Sequence, residues 1–565
     1  MTALSTLQIA KNALFASQAG IQVAANNIAN ADTPGYVREK LVQAPGPTQR
    51  IGGIATGTGV QVLGVVREVD RFLQERLWSA SSDLGNGDVQ EKVYLELEAA
   101  IGELTDSDIS TAMTEFFNSI NDVLNQPEDP AVRNLAILRG DGLASQLRSL
   151  DSRVQDLREM ANERILNAAT EVNKLVTEVA TLNMQIIEIE QGGAIVSDAV
   201  GLRDKRDKAL GELAQLVNIH VEEQATGAVN VFVGGDYLVF DGATQLIKPV
   251  TIVNHGLAAA ELRLSKSDAT LRATSGELAG LLTARDDILL GFIDQLDTFT
   301  GTMIFEFNKL HTSGQGLSGY TEMLSEQRIE NSNLPLDESG LPFTPVHGSF
   351  QVQVVNKETG ATQTHDVFVR LNGLDDDTTY ADLAQTLDDI SGLSATITLE
   401  GQLRLESESE DLEFVFGNDS SGVLAALGLG TFFTGTTAED VQIQSALLED
   451  AGKLAMSRGG VGVDTENGEL LANLLTTPLV TRDNNSLAQL YDRWMGETSQ
   501  ASSLSRSVAE GYRSFQSTLE GEHLGLSGVS LDEEAINMMT YQRTFQAAAK
   551  VITTISEMLD ILVQL

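Results

Sequence analysis

Apolar residues step by four and three along the first thirty positions: Ala3, Leu7, Ala10, Leu14, Ser17, Ile21, Ala24 and Ile28. The same rhythm returns at the other extreme, through Met538, Tyr541, Phe545, Ala548, Ile552, Ile555, Leu559 and Leu562. Such alternation lays each set on one narrow stripe of an α-helix, the seam of a coiled coil. Chain termini usually fray and carry polar residues, so stripes at both ends are expected to pack on each other and on neighbouring subunits. The pattern predicts a polymer-forming protein. Ordering a backbone costs roughly 1–2 kcal/mol per residue and an isolated helix of this length is marginal. Both terminal helices are therefore expected to order only on assembly.

Between the ends the pattern alternates between helical and strand periods. A helix over 1–30 stops at the Thr33-Pro34-Gly35-Tyr36 turn, and β-branched runs predict extended or hairpin structure over 37–69. Residues 70–124 read as helix broken at 85–88 and 105–108, with Pro127 and Pro130 bracketing a turn. The longest element is a helix over 150–191, with Ile165, Ala168, Val172, Leu175, Val179, Leu182, Ile186 and Ile189 on its stripe and Gly192-Gly193 as its stop. A shorter helix over 204–216 precedes alternating strands over 221–264, with Gly234-Gly235 at a hairpin turn. A second long helix spans 276–310, with Leu289, Phe292, Leu296, Phe299 and Met303 on one face. Residues 312–345, rich in Gly, Ser, Asn and Pro, read as a linker. A separate α+β unit over 350–433 follows, with five strands and a helix over 380–390 capped by Thr378 or Thr379. Helix returns over 486–518 and 532–565. The fold class expected is multidomain α+β: terminal coiled-coil helices, an elongated helical bundle formed by both halves of the chain, and an inserted β-rich domain.

Composition narrows the chemistry. At 565 residues the chain exceeds one core, and its 80 acidic against 37 basic residues give a net charge of −43. That charge repels nucleic acid and anionic membranes, and no run of 18 apolar residues suggests membrane insertion. The absence of cysteine excludes disulfides, thiolate metal sites and a thiol nucleophile. The six histidines are scattered without metal-ligand spacing. Asp375-Asp376-Asp377 lacks the rest of a calcium loop and precedes a helix N-terminus, where acids suit the dipole. Gly57-Thr58-Gly59 sits among strand residues and reads as a turn or bulge. No catalytic residue, cofactor or metal site is expected. The first 31 residues carry one charge, Lys11, but lack the basic start and continuous apolar stretch of a cleaved signal peptide.

The segment A-A-N-N-I-A-N-A-D-T-P-G-Y-V-R, 24–38, resembles the N-terminal signature of the flagellar rod, hook and hook-associated axial proteins. Its carriers are Asn26, Asn27, Asn30, Thr33, Pro34, Gly35, Tyr36 and Arg38. The segment S-L-D-E-E-A-I-N-M-M-T-Y-Q-R-T-F-Q at the start of 530–562 resembles the matching C-terminal signature. The stretches 421–435 and 483–490 are similar to stretches of hook-associated members, while Val37 stands where the family often has a small polar residue. The resemblance implies a structural adaptor ring between hook and filament. Its implied divisions are an axial helix 1–35 packed with a second, 526–565; a mainly helical domain 36–345 completed by 436–525; and an outer α+β domain 346–435. Leu7, Leu14, Ile21, Ile28, Tyr541, Phe545, Ile552, Ile555, Leu559 and Leu562 would form the axial assembly interface. Implied partners are further copies in a ring, hook protein, a second hook-associated protein on the filament side, and an export chaperone at the C-terminal region. Export through the flagellar type III channel would place the protein outside the cell after a transient cytoplasmic stage. Hook protein itself, a secreted enzyme on an axial scaffold and a coiled-coil adhesin are the rivals. The long helix over 150–191 argues against the first, the lack of a catalytic constellation against the second, and the lack of stalk repeats against the third.

Overall fold

The structure is a computed structural model that describes residues 3–51, 54–102, 108–193, 196–374 and 376–564. At 3, 4, 51, 54 and 562–564 it describes the backbone alone. Helix α1 is Ala3–Ala29. An antiparallel pair follows, Glu39–Pro45 with Val60–Arg67, whose connection holds a smaller pair, Thr48–Ile51 with Ile54–Gly57. Then come α2 Arg71–Ile101, α3 Ile109–Asn125, α4 Pro130–Ile189 and α5 Val200–Leu216. A four-stranded antiparallel sheet in chain order (His220–Glu223, Val229–Val233, Asp236–Phe240, Ala243–Thr244) leads into a hairpin of Ile247–Asn254 and Leu257–Leu264. Helices α6 Glu277–Thr283 and α7 Leu290–Thr312 are joined by a π-turn, Ala284–Leu289. The α+β segment contains α8 Tyr380–Asp388 and α9 Val423–Leu427. Helices α10 Ser445–Glu449, α11 Glu466–Asn473, α12 Leu487–Ser527 and α13 Leu531–Gln564 close the chain.

The chain divides into two compact units. The first is Met1–Tyr94, Glu159–Arg285 and Ser503–Leu565; the second is Leu95–Arg158 and Asp286–Ser502. In the first, Ile165, Val172, Val176 and Val179 of α4 share a core with Leu210 and Leu213 of α5 and with Val231, Val239 and Leu262 of the strands. Three asparagines fasten the strands to α4. Asn162 and Asn173 lie eleven residues apart, about three helical turns, and Asn183 follows ten residues on, about 80° round from Asn173, so all three lie on one broad face. Asn173 Nδ2 donates to Ile247 O at 2.8 Å and its Oδ1 accepts from Ile247 N at 2.7 Å. Asn183 brackets Val229 in the same way, at 2.8 and 3.1 Å. Asn162 accepts from Ala260 N and donates to Ala258 O. Each amide stands in for a strand neighbour and satisfies backbone groups that would otherwise be buried unpaired.

In the second unit, Thr362–Val369, Gly348–Asn356 and Leu412–Gly417 form one antiparallel sheet, and Glu322–Leu324, Leu403–Ser407 and Leu393–Ile397 form another. Phe350, Val352, Leu405, Phe414 and Leu427 are buried between them and α8. Thr379 caps α8 in a box with Asp382. A five-ring cluster of Phe116, Phe117, Phe307, Phe432 and Phe433 joins α3 and α7 to the end of the α+β segment. There Asn308 accepts from Phe432 N and Phe433 N and donates to Phe433 O.

Three expectations are corrected. The break at 85–88 is absent: α2 runs through it, because Gly85 and Gly87 serve close approach. A Cβ at Gly85 would lie 2.5 Å from Gln215 O, and one at Gly87 3.0 Å from the Tyr512 ring. The other break, at 105–108, falls largely outside the described residues. The helix expected over 150–191 begins at Pro130, with proline at its first position, where the missing N–H costs nothing; Gly192, at φ +66°, follows its end. The stretch 312–345 is no free linker. Gln315 exchanges backbone bonds with Ser457, Tyr320 does so with Phe414, and Met323, Ile329 and Leu336 enter the α+β core. Separately, α6–α7 is long and apolar enough by composition to cross a membrane, and its Phe292, Leu296, Phe299, Met303 and Phe307 are buried in protein.

His311, on α7, is fully enclosed. Its Nδ1 donates to Gly430 O at 3.0 Å and its Nε2 accepts from Ala455 N at 3.2 Å, which fixes the neutral tautomer. Burial lowers its pKa from 6.5 to about 4. The unfolded chain therefore binds the proton first, so this residue's contribution is complete above pH 6.5 and is lost as pH falls through 4. The loss is about 3 kcal/mol. Between pH 7 and 4.5 the urea midpoint of the wild type should fall more steeply than that of His311→Gln; parallel slopes would exclude this role.

Candidate functional site

The residues of the two terminal signatures converge in the first unit, where α1 ends, the first strand begins and α13 starts. Asn27 is 1% exposed. Its Nδ2 donates to Glu39 O at 3.0 Å, and its Oδ1 accepts from Glu39 N at 2.9 Å and from the Tyr36 hydroxyl at 2.8 Å. All the polar capacity of this buried amide that matters to packing is thus used to tie α1 to the strand. Burial first, then the Glu39 carboxylate, hold the Tyr36 hydroxyl above its ordinary pKa, so it remains a donor. Asn26 Nδ2 donates to Glu39 Oε1 at 2.8 Å, and Asn30 Nδ2 donates back to Asn26 O. Thr33 N donates to Asn30 O, and Tyr36 N to Thr33 O, winding the chain through a turn with exposed Pro34 and with Gly35 at φ +80°.

Arg38 carries the link to the other terminus. Its backbone N donates to Ser527 O at 3.0 Å. Its Nε and Nη2 lie 2.9 and 2.7 Å from Glu534 Oε1, and its Nη1 lies 2.9 Å from Glu533 Oε2. Glu534 is 3% exposed. Burial alone would lower the Arg38 pKa, and the Glu534 and Glu533 carboxylates more than offset it. Asp532, Glu533 and Glu534 occupy the first turn of α13, where carboxylates suit the helix dipole. Glu533 and Glu534 were not singled out from the sequence. The signal was present, since D-E-E opens the C-terminal signature, but only the fold shows that Arg38 is its partner.

Beyond this clasp the seams meet. α1 and α13 lie against each other, and on α13 the side chains withdrawn from solvent are the seam itself: Met538, Tyr541, Phe545, Ala548, Ile552, Ile555 and Leu559, with Asn537 and Ala549 beside them. On α1, Leu7, Leu14, Ile21 and Ile28 are half-buried, while Ala10, Ser17 and Ala24 are buried. The Leu562 and Ala3 side chains lie outside the described residues. Gly20, which the seam pattern did not flag, is where the helices come closest: a Cβ there would sit 2.6 Å from the Tyr541 ring. A second face of α1 packs on the strand pair, with Asn12 Nδ2 donating to Thr58 O at 2.9 Å and Gly59, at φ +91°, beside Ile9. Within one chain each seam covers the other. What α13 leaves exposed is a different face, Ile536, Met539, Val551, Met558 and Ile561.

The internal signatures are structural. In 421–435, Asp419 accepts from Ser421 N, Gly422 N and Leu424 N to start α9, and Phe432 and Phe433 fill the aromatic cluster. In 483–490, Ser486 and Gln489 cap α12 reciprocally, Ser486 N donating to Gln489 Oε1 and Gln489 N to Ser486 Oγ. Asp377, in the acidic run, accepts from Asn372 N and Gly373 N as a loop brace; Asp375 lies outside the described residues. Among the described residues no group of three or more His, Asp or Glu side chains is placed to hold a metal ion.

Comparison with known proteins agrees with this geometry. Residues 7–36 match the family model described as flagella basal body rod protein, and 521–565 match the C-terminal model of the flagellar basal body rod FlgEFG proteins. Residues 94–323 match the helical domain of the flagellar hook-associated protein FlgK. Flagellar hook-associated protein 1 of Escherichia coli is 24% identical over 99% of this chain and all of that protein. That of Bacillus subtilis is 23% identical over 98% of this chain and 96% of that protein. The solved structure of the flagellar hook junction protein FlgK from Burkholderia pseudomallei shares the fold, with a TM-score of 0.51 at 16% identity over 80% of this chain and all of that one. By both its ends the chain is one of the flagellar rod, hook and hook-associated axial proteins. Along its whole length it is a homologue of flagellar hook-associated protein 1.

Proposed function

We propose that the chain is a structural adaptor that forms a ring between hook and filament and is required for filament assembly. The observation that carries this is the convergence of both terminal signatures on one clasp, with the seams paired beyond it, in a full-length homologue of a hook–filament junction protein. The α1–α13 pair would be the axial element, built by the seam residues, from Leu7, Leu14, Ile21 and Ile28 to Tyr541, Phe545, Ile552, Ile555, Leu559 and Leu562. The exposed face of α13 would meet neighbouring copies. Hook protein would contact one side of the ring and a second hook-associated protein the other, and the α+β segment over 346–435 would face outward. The chain would leave the cytoplasm through the flagellar type III channel, escorted by a chaperone at its C-terminal region, and act outside the cell without catalysis, cofactor or metal.

Electron microscopy of cells lacking the protein tests the central claim. Hooks without filaments, with monomeric filament protein in the medium, are expected. Filaments of normal length would reject the reading.

A further inference from the structure

The first unit contains a cavity of roughly 600 Å³ that the junction role does not use. Its wall is formed by Arg67, Trp78, Arg203, Arg206 and Glu223, among others from α2, α5 and the four-stranded sheet. The ion pairs around it are nearly all closed. Arg67 Nη1 lies 2.9 Å from Asp204 and 2.7 Å from Asp207. Arg203 is held by Glu190 and Glu223, each at 2.6 Å, and Arg71 takes the other oxygen of Glu223.

Arg206 is left over. It is 2% exposed, and among the described residues no carboxylate lies within ion-pair distance of it. Its Nη1 donates only to neutral acceptors, Asn183 Oδ1 at 3.2 Å and Gly227 O at 2.7 Å. Among the described residues its Nε has no acceptor, and neither do Arg67 Nε and Trp78 Nε1. All three orphans are donors. A buried, unmatched guanidinium costs several kcal/mol, and burial lowers the pKa of this one to about 10, with Arg203 and Arg67 opposing the help of Asp207 and Glu223.

We infer that this cavity is a binding site for a small carboxylate, whose charge completes Arg206. Carboxylate is favoured over phosphate because Asp198, Asp207, Glu222 and Glu223 also line the space. A single planar monoanion matches a guanidinium there, whereas a tetrahedral dianion meets their repulsion. The carboxylate is either a free acid or a glutamate side chain of another polypeptide.

The chain has two tryptophans, and Trp78 lines the cavity, so Trp494→Phe leaves one indole as reporter. Propionate and the peptide acetyl-Gly-Glu-Gly-amide are titrated separately into the full chain, each against sodium chloride at matched ionic strength. A saturable change in Trp78 emission is expected, with a rise in melting temperature of about 2–4 °C at ten times the Kd. A response to either probe supports the site, and the tighter probe identifies the source. Arg206→Met should abolish both signals. Arg206→Lys, which keeps the charge but loses the planar fork, should weaken binding about tenfold and serves if the Met variant does not fold. The inference is overturned if neither probe acts beyond its salt control, or if the variants respond as the wild type does.

Discussion

Ile555→Asp is expected to leave cells with hooks but no filaments, while the melting of the second unit is unchanged. Ile555 is 6% exposed, at the α13 seam. Truncating a buried isoleucine costs about 2–5 kcal/mol, and a buried carboxylate without a partner adds its desolvation. Among the described residues the seam packs on α1, so the damage is expected to fall on the terminal pair. Limited proteolysis of the variant should remove both ends first, whereas the wild type should resist there. Met558→Asp separates seam from outer face. Met558 is 57% exposed, so its variant should resist protease like the wild type and yet fail to join the hook tip. Normal filaments from Ile555→Asp would mean that the pairing is dispensable. Normal filaments from Met558→Asp would mean that neighbours do not use the exposed face.

What could be read from the sequence was what repeats. The seams, the strands of 350–433, the Gly234-Gly235 hairpin and the stripe from Leu289 to Met303 follow from periods of 3.5 and 2, and periodicity is local. Glycine was misread at 85–88 because it has two uses. It can end a helix, or it can let a carbonyl such as Gln215 O approach, and only the packed neighbour decides which. The stretch 312–345 has a loop composition, yet its backbone pairs with partners about 90 and 140 residues away, at Phe414 and Ser457, which no window can show. Asn162, Asn173 and Asn183 look like weak helix formers until strands arrive to be bracketed. At the terminal site the signature residues were legible but their roles were not. Asn27 and Arg38 act on Glu39 and Glu534, and the second of those pairs spans almost the whole chain.

Arg38→Met is expected to loosen the terminal pair by about 3–5 kcal/mol, because it strands the Glu534 carboxylate in a site that is 3% exposed. Glu534→Gln should cost less, since the amide can still accept from Arg38 and the remaining charge keeps Glu533 as a partner. The double variant should be more stable than the sum of the two predicts, with a coupling above about 1.5 kcal/mol. Glu533→Gln is the internal control: its side chain is 60% exposed, so its loss should cost under about 1 kcal/mol. Hydrogen exchange in 27–39 and 531–540 measures these differences where they arise, whereas a global melt would be dominated by the cores. The geometry makes the clasp matter beyond its energy. Arg38 bonds to Ser527 at the end of α12 and to Glu534 in the first turn of α13, while Asn27 holds α1 to the same strand. One short segment thereby sets the angle at which both terminal helices leave the strand pair. If the single costs were additive, the contact would be an ordinary surface pairing, and the geometry of the ends would have to be fixed by the seams alone.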